Sequence, residues 1–510
     1  MKKYILTRTI MCLAALMLAT SCEDEFLESE IPGRLPQEEF YRTDEDAIQA
    51  TAAAYDMLQA HYNWGWASMY LVKTLLSDES NAGGSGPGDQ PAYQTLDDFS
   101  FDSQNDAVLG AWTMSYYGIY RANQVINNVV PESDLRRRLI AEAKALRALY
   151  YLDLVSLWGD VPLILDNIAP SEYTAQQRVS KEEVYNQIEQ DLTEAIAELP
   201  LKSTYGTGER FRFSKGAAQA LLGRAHLYQE EWEQAAQQLD EVISSGQYSL
   251  EPKFSTVFSQ EGEFGPESLF EVAYSSDANY DWGNFPWANG RNLESNIHIQ
   301  LMGPRADFYT KAPQDSLIGG WGFNTPRSGL YESFIDAGDT QRRINTVMSE
   351  AELKAKGGNW TAPNAYDYMG YFQRKYGSYI NQTATEGGSV GELNYGTNWR
   401  LIRYADVLLM AAEAYYRLGD EGRARTELNK VRERAGLDDI SASGTDLFNA
   451  IMQERELELA FEGFRYIDLV RWDMAAQELG PLGYVEGKHN LLPIPDNDVR
   501  TANLTQNPGY

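Results

Sequence analysis

Apolar residues recur at spacings of three and four over most of the chain, which predicts a mainly helical protein. The clearest stripe is Leu139, Ala143, Leu146, Tyr150, Leu154 and Leu157, with Gly159 and Pro162 to end it. From Thr43 to His61 a second helix is expected. Thr43 or Asp44 can cap it, and Ala47, Ala50, Ala54, Tyr55 and Leu58 share one face. Ala107–Val130 is closed by Pro131, and Lys181–Leu199 by Pro200.

Two later segments repeat each other. In Ser214–Gly246, Ala235 stands twelve residues and Leu239 sixteen residues after Gly223. In Arg403–Gly436, Ala424 and Leu428 keep the same offsets from Ala412, with Tyr415 three residues after it. This alternation of small and large positions matches the tetratricopeptide helix–turn–helix, whose small residues let two helices approach and whose units stack face to face. Weaker units are expected at Asp44–Leu76 and Leu135–Leu199; plain helical hairpins are the alternative.

Between about 251 and 398 the helical pattern fails. Gly, Asn, Pro and aromatics dominate, most densely in Tyr280-Asp281-Trp282-Gly283-Asn284-Phe285-Pro286-Trp287. The stretch is far too long for a connector, so loops and short elements packed on the scaffold are expected, with a function of their own. Helices resume after Trp399, and the chain runs out through Leu491-Leu492-Pro493-Ile494-Pro495.

Charge and chemistry narrow the function. The 510 residues carry 43 Lys plus Arg against 74 Asp plus Glu, a net charge of −31, which disfavours nucleic acid as a partner. Two cysteines make no disulfide framework. His61, His226, His298 and His489 are scattered, and none stands in a recognisable metal spacing. No G-x-S-x-G nucleophile elbow occurs. Gly83–Gly88 lacks the lysine of a phosphate loop and reads as a flexible loop. With 74 acids, carboxylate pairs carry no information. The alternating charges of Glu454–Arg471 read as ion pairing on a helix. No catalytic residue, metal or cofactor is expected.

The N-terminus points to a cell surface. Lys2, Lys3 and Arg8 precede an apolar run from Ile10 to Ala19, too short for a bilayer span of about 20 residues. It reads as a secretory signal peptide. Leu18-Ala19-Thr20-Ser21-Cys22 resembles a bacterial lipobox, with Cys22 as the acylated residue, and Glu23-Asp24-Glu25 is similar to the surface-export signal of Bacteroidetes lipoproteins.

Three further blocks carry a family resemblance. They are Glu142–Tyr151 continuing through Leu157-Trp158-Gly159-Asp160-Val161-Pro162-Leu163; Arg403–Ala414; and Glu454-Arg455 with Glu462-Gly463, Arg465, Asp468-Leu469 and Arg471-Trp472. With the ending Gln506-Asn507-Pro508-Gly509-Tyr510, they resemble the SusD/RagB family of outer-membrane lipoproteins. The resemblance implies a mainly α fold: a tetratricopeptide-like helical scaffold with a large loop-rich ligand-binding region. It divides the chain into a signal peptide (1–21), a lipidated tether (22–43), an N-terminal helical part (44–250), a variable ligand region (251–398) and a C-terminal helical part with its tail (399–510). It also implies a non-enzymatic, lipid-anchored surface protein that captures oligo- or polysaccharide for a SusC-like TonB-dependent transporter. A RagB-like peptide binder, or a tetratricopeptide scaffold for a protein partner, is the alternative. The matched blocks carry the scaffold; they leave the ligand open.

Sugar rings present apolar C–H faces that flat aromatics match at little entropic cost. Trp112, Trp158, Trp232, Trp399 and Trp472 lie in or beside helical patterns and are expected to pack. The remaining candidates form an expected binding arc of Trp64, Trp66, Tyr280, Trp282, Trp287 and Trp321, with Asn81, Asp281 and Asn284 as partners for sugar hydroxyls. The negative charge favours a neutral glycan over a sulfated one.

Overall fold

The computed structural model describes residues 40–283, 294–385 and 389–510. Its scaffold is a stack of helices: α1 (Asp44–Asn63), α2 (Asp106–Asn128), α3 (Asp134–Trp158), α4 (Lys181–Glu198), α5 (Lys215–Tyr228), α6 (Trp232–Ser244), α7 (Tyr404–Arg417), α8 (Glu421–Ala435) and α9 (Thr445–Leu459). Side-chain caps fix several starts. Thr43 and Asp46 form a reciprocal capping box on α1, while Ser133, Ser214 and Asp420 accept from backbone N–H groups at the starts of α3, α5 and α8.

Helices pair as α1–α2, α3–α4, α5–α6 and α7–α8, and each pair stacks on the next through α2–α3, α4–α5 and α6–α7. The offsets in the sequence are explained by direct contact. A Cβ on Gly223 of α5 would stand 2.9 Å from the Leu239 side chain of α6, so the small residue is what lets these helices close. The first unit differs from expectation. α1 pairs with α2 rather than with the short helix Met69–Leu75, and residues 64–105 form an insertion between the two partners.

That insertion positions the site. Its strand β1 (Ser80–Gly83) pairs antiparallel with β3 (Phe323–Pro326) of the variable region, Ser80 opposite Pro326 and Gly83 opposite Phe323. The glycine run therefore begins as an ordered strand end, not a free loop. Gly83 has φ +73° and its missing Cβ would lie 2.2 Å from the Gly322 carbonyl oxygen, an approach no other residue allows. A second ladder, β2 (Ser268–Val272) with β4 (Trp399–Arg403), ties the variable region to the start of α7. Among its described residues, the rest of 251–398 is built of short helices, turns and two- or three-residue ladders.

Beneath these ladders lies a buried ionic network drawn from the variable region and the C-terminal helical part. Arg403 donates to Glu462 (2.7 Å), Glu267 (2.8 Å) and the Glu458 carbonyl (2.7 Å), and it also pairs with the Glu458 carboxylate. Arg342 bridges Glu454 and Glu458 at 2.6 and 2.9 Å, and Arg455 reaches Asp468 and Asp406 at 2.8 and 3.0 Å. All three guanidinium side chains are fully buried. The alternating charges of 454–471 are thus structural, as expected, but they pair between elements rather than along one helix.

Candidate functional site

Trp66 and Trp321 come from opposite halves of the chain and meet. Their rings lie 6.2 Å apart at 34°, and both are half-buried. A tight turn delivers Trp66. Gly65 has φ +45° and the Ala67 N–H donates to the Trp64 carbonyl at 2.9 Å. The Trp66 ring rests on Phe323 at 5.4 Å and on Tyr93 at 6.0 Å.

Trp321 is held through its backbone. Its N–H donates to the Gln300 carbonyl at 2.9 Å and its carbonyl accepts from Arg305 at 3.1 Å. The segment beneath it, from 295 to 302, is fastened to the end of α1, where Asn63 donates to the Ser295 carbonyl at 2.6 Å and meets His298 Nδ1. Burial pushes the His298 imidazole down to about 3, so it stays neutral and structural.

The other expected residues divide. Trp282 is 59% exposed, the most exposed large apolar side chain among the described residues, and Asp281 beside it is exposed with its carboxylate accepting from the Gly283 N–H at 2.8 Å. Tyr280 is a correction. It is only 2% exposed, clustered with Ile297 and Leu393 against Trp321, and burial pushes its hydroxyl up. Its backbone is locked by Asn394, which accepts from the Tyr280 N–H and donates to its carbonyl, each at 2.9 Å. Tyr280 therefore supports the site from below and offers no stacking face.

Asn81 is likewise a correction: it is 4% exposed inside β1, and its amide donates to the Asp367 carbonyl at 3.2 Å. Trp64 belongs to a different cluster, packed with Met57, Ala60 and Met114. Asn284, Trp287 and Cys22 lie outside the described residues. Trp112, Trp158, Trp399 and Trp472 are buried as expected, whereas Trp232 is only half-buried; Trp360, a variable-region residue not among those expected to pack, is buried by Phe308, Tyr368 and Phe372.

Two features were missed from the sequence. Arg305, which donates to the Trp321 carbonyl, and Asp89, 3.9 Å from Arg305, supply a cation and an anion suited to hydroxyl groups. Separately, a cavity of about 600 Å³ opens along α2, lined by Trp112, Tyr116, Tyr117, Tyr120, Asp166 and Tyr173 among others. Its wall is held by α2 itself: Tyr116 donates to the Pro162 carbonyl at 2.9 Å and Asn123 to the Ile164 carbonyl at 3.0 Å. Tyr117, Tyr120 and Tyr173 are 54%, 43% and 48% exposed. The signal was there: Tyr117 and Tyr120 occupy outward positions of a helix where polar residues are the rule.

Comparison with known proteins decides the family. Residues 266–491 match the sequence model of the SusD family, and residues 26–227 match one described as starch-binding associating with outer membrane. A laminarin binding SusD-like protein is 34% identical, with 92% of this chain and 100% of that one aligned at a TM-score of 0.83. The chain belongs to the SusD family. Surface glycan-binding protein A from Bacteroides thetaiotaomicron, solved in complex with laminarihexaose, is 27% identical to this SusD-family chain over 91% of it and 99% of that protein, with a TM-score of 0.78. SusD-like protein P38 of Formosa agariphila is 28% identical over 97% of both chains. Trp66 falls in one matched span of the SusD-family chain, and Trp282 and Trp321 in the other. SusD-family proteins are binding proteins, which accords with the expectation that the chain is not an enzyme. Among the described residues of this one, no helix is long and apolar enough to cross a membrane.

Proposed function

We propose that this protein captures a neutral, laminarin-like glycan on the surface formed by Trp66, Trp321 and Trp282. The observation that carries this is the half-buried Trp66–Trp321 pair, two flat rings anchored from below with charged Arg305 and Asp89 beside them. The similarity to a laminarin binding SusD-like protein and to a laminarihexaose complex supports the choice of glycan. Such an open site binds in the micromolar to millimolar range, roughly 4 to 8 kcal/mol. Calorimetric titration with laminarihexaose tests it: saturable heat is expected, and no heat with either laminarihexaose or laminarin overturns the reading.

Acylation at Cys22 holds the protein on the outer-membrane surface, several acyl chains giving a hold that one chain does not. Cys22→Ala then ends incorporation of labelled fatty acid; undiminished labelling counts against the anchor. From that surface the protein hands its ligand to a SusC-like TonB-dependent transporter. Exposed Tyr117, Tyr120 and Tyr173 around the α2 cavity favour a protein contact, since tyrosine is enriched in interfaces. Extraction in mild detergent is expected to recover a large barrel with the wild-type protein and less with Tyr117→Ser/Tyr120→Ser.

A further inference from the structure

We infer that Glu189, His226 and Glu231 form a binding site for a first-row divalent metal ion, zinc foremost. The three ligand atoms, one imidazole nitrogen and two carboxylate oxygens, lie within 4.8 Å of one another. They come from three successive helices of the stack. Glu189 projects from α4, His226 from the last turn of α5, and Glu231 from the position just before α6.

The local structure aims them inward. Glu231 occupies the N-cap position of α6, and its carboxylate makes no capping bond. It turns instead to His226 Nδ1 at 2.6 Å, while the Glu231 N–H donates to the His226 carbonyl at 2.9 Å and closes the turn. The Glu189 carboxylate lies 3.9 Å from the same nitrogen, oriented by Gln229, whose amide donates to Glu189 Oε1 at 2.7 Å. The His226 side chain is 10% exposed, so its ring is held by packing before any ion arrives. Glu189 and Glu231 are 27% and 37% exposed, which leaves an entry path and room for a water ligand.

Geometry and ligand chemistry agree. Tetrahedral zinc with bonds of about 2.0–2.2 Å separates its ligand atoms by about 3.4 Å, between the two separations observed here. Carboxylate rotations of about 1 Å suffice to admit the ion. One imidazole with two carboxylates suits zinc and its first-row neighbours, whereas calcium and magnesium prefer all-oxygen sites. Three protein ligands and an open position complete the set, and the net charge of −31 raises the local concentration of cations. Spacing along the chain does not reveal this set, because Glu189 is distant and the His226–Glu231 spacing spans a helix end rather than one helix face.

The competing arrangement is a His226 ring that simply hydrogen-bonds Glu231 and is indifferent to metal. Titrating the chelator-stripped full-length protein with ZnCl2 alone separates them. One saturable equivalent is expected, with a rise in Tm that saturates at the same ratio, and Co2+ at the site gives visible d–d absorption. His226→Ala is expected to weaken zinc binding at least tenfold and to abolish the cobalt bands. Glu189→Gln, at a more exposed position, gives a second variant should His226→Ala fold poorly, and it too is expected to weaken binding. CaCl2 is expected to leave Tm unchanged. No saturable zinc binding by the wild type, or equal binding by both variants, overturns the proposal.

Discussion

The indole of Trp66, delivered by a turn after α1, and the indole of Trp321, from the variable region, lie 6.2 Å apart. Neither half of the chain makes this platform alone, and the β1–β3 ladder beside it fixes their separation. Of the residues proposed for the glycan site, Trp282 and Trp321 differ in burial. Trp282 is mostly solvent-exposed, so Trp282→Ala should leave Tm within about a degree while weakening laminarihexaose at least tenfold, about 1.4 kcal/mol. Trp321 is half-buried against Tyr280 and Ile297, so Trp321→Ala should lose both ligand and roughly 1–3 kcal/mol of stability. Calorimetry and thermal melts on both variants separate the two effects.

Tyr280 is the control. A residue 2% exposed with its backbone locked by Asn394 is a support, and Tyr280→Ala should cost about 3–5 kcal/mol in denaturant unfolding. A variant that melted like wild type but lost ligand would make Tyr280 a contact residue after all.

What was legible in the sequence was what is local. The Gly223–Leu239 and Ala412–Leu428 offsets report helices that touch within one hairpin, and the small residue is itself the contact. The pairing of α1 with α2 was not legible, because the 64–105 insertion separates them and contains a short helix that mimics a partner. The site was half legible for the same reason. Glycine and asparagine around Tyr280 suggest exposure, but the groups that bury it, Ile297 and Leu393 with Asn394, lie far along the chain. Trp282 is 59% exposed, and that exposure follows the composition around it.

Gly118 of α2 faces the fully buried Tyr150 of α3. A Cβ there would stand 2.3 Å from the Tyr150 ring, and neither the helix nor the ring has room to withdraw. Overpacking of this kind outweighs the gain in helix propensity that alanine normally brings. Gly118→Ala should lower stability by about 1–3 kcal/mol, while Gly206→Ala, with open space around it, should change it little. Denaturant midpoints of the two variants compare them directly.

Arg403 is surrounded by Glu267, Glu458 and Glu462, and all four side chains are buried. Removing one member of a buried ionic cluster leaves its partners desolvated and unpaired, at about 3–5 kcal/mol. Arg403→Ala should therefore fold poorly or melt far below wild type, and Arg403→Lys should rescue only part of the loss because one ammonium cannot span three carboxylates. Burial alone would raise the neighbouring carboxyls Asp406 and Glu413, yet the guanidinium groups of Arg224 and Arg455 beside Asp406, and Arg471 beside Glu413, hold both below their usual range. Their contribution is present above the ordinary carboxylate pKa and is lost as pH falls through the folded values. Acid unfolding should accordingly be steep.

Glu79 has the opposite sign. It is 3% exposed, and burial, with Asp78 adjacent, pushes its carboxyl from 4.5 to about 8, against the pull of the Phe461 N–H, Arg465 and Lys375. Its acceptor role is fixed: the Phe461 N–H donates to Glu79 Oε2 at 3.1 Å, at a residue with φ +62°. A group with a raised folded pKa binds its proton more tightly when folded, so its stabilising protonated form is fully present below 4.5 and the folded state loses ground as pH rises to about 8. The full span of that shift corresponds to about 5 kcal/mol by linkage. Glu79→Gln keeps an oxygen for Phe461 and removes the charge. It should stabilise the protein at pH 8 by a few kcal/mol and leave it nearly unchanged at pH 4.5. Urea unfolding of wild type and variant at the two pH values measures this difference, and an equal gain at both would show that the buried charge of Glu79 is not its source.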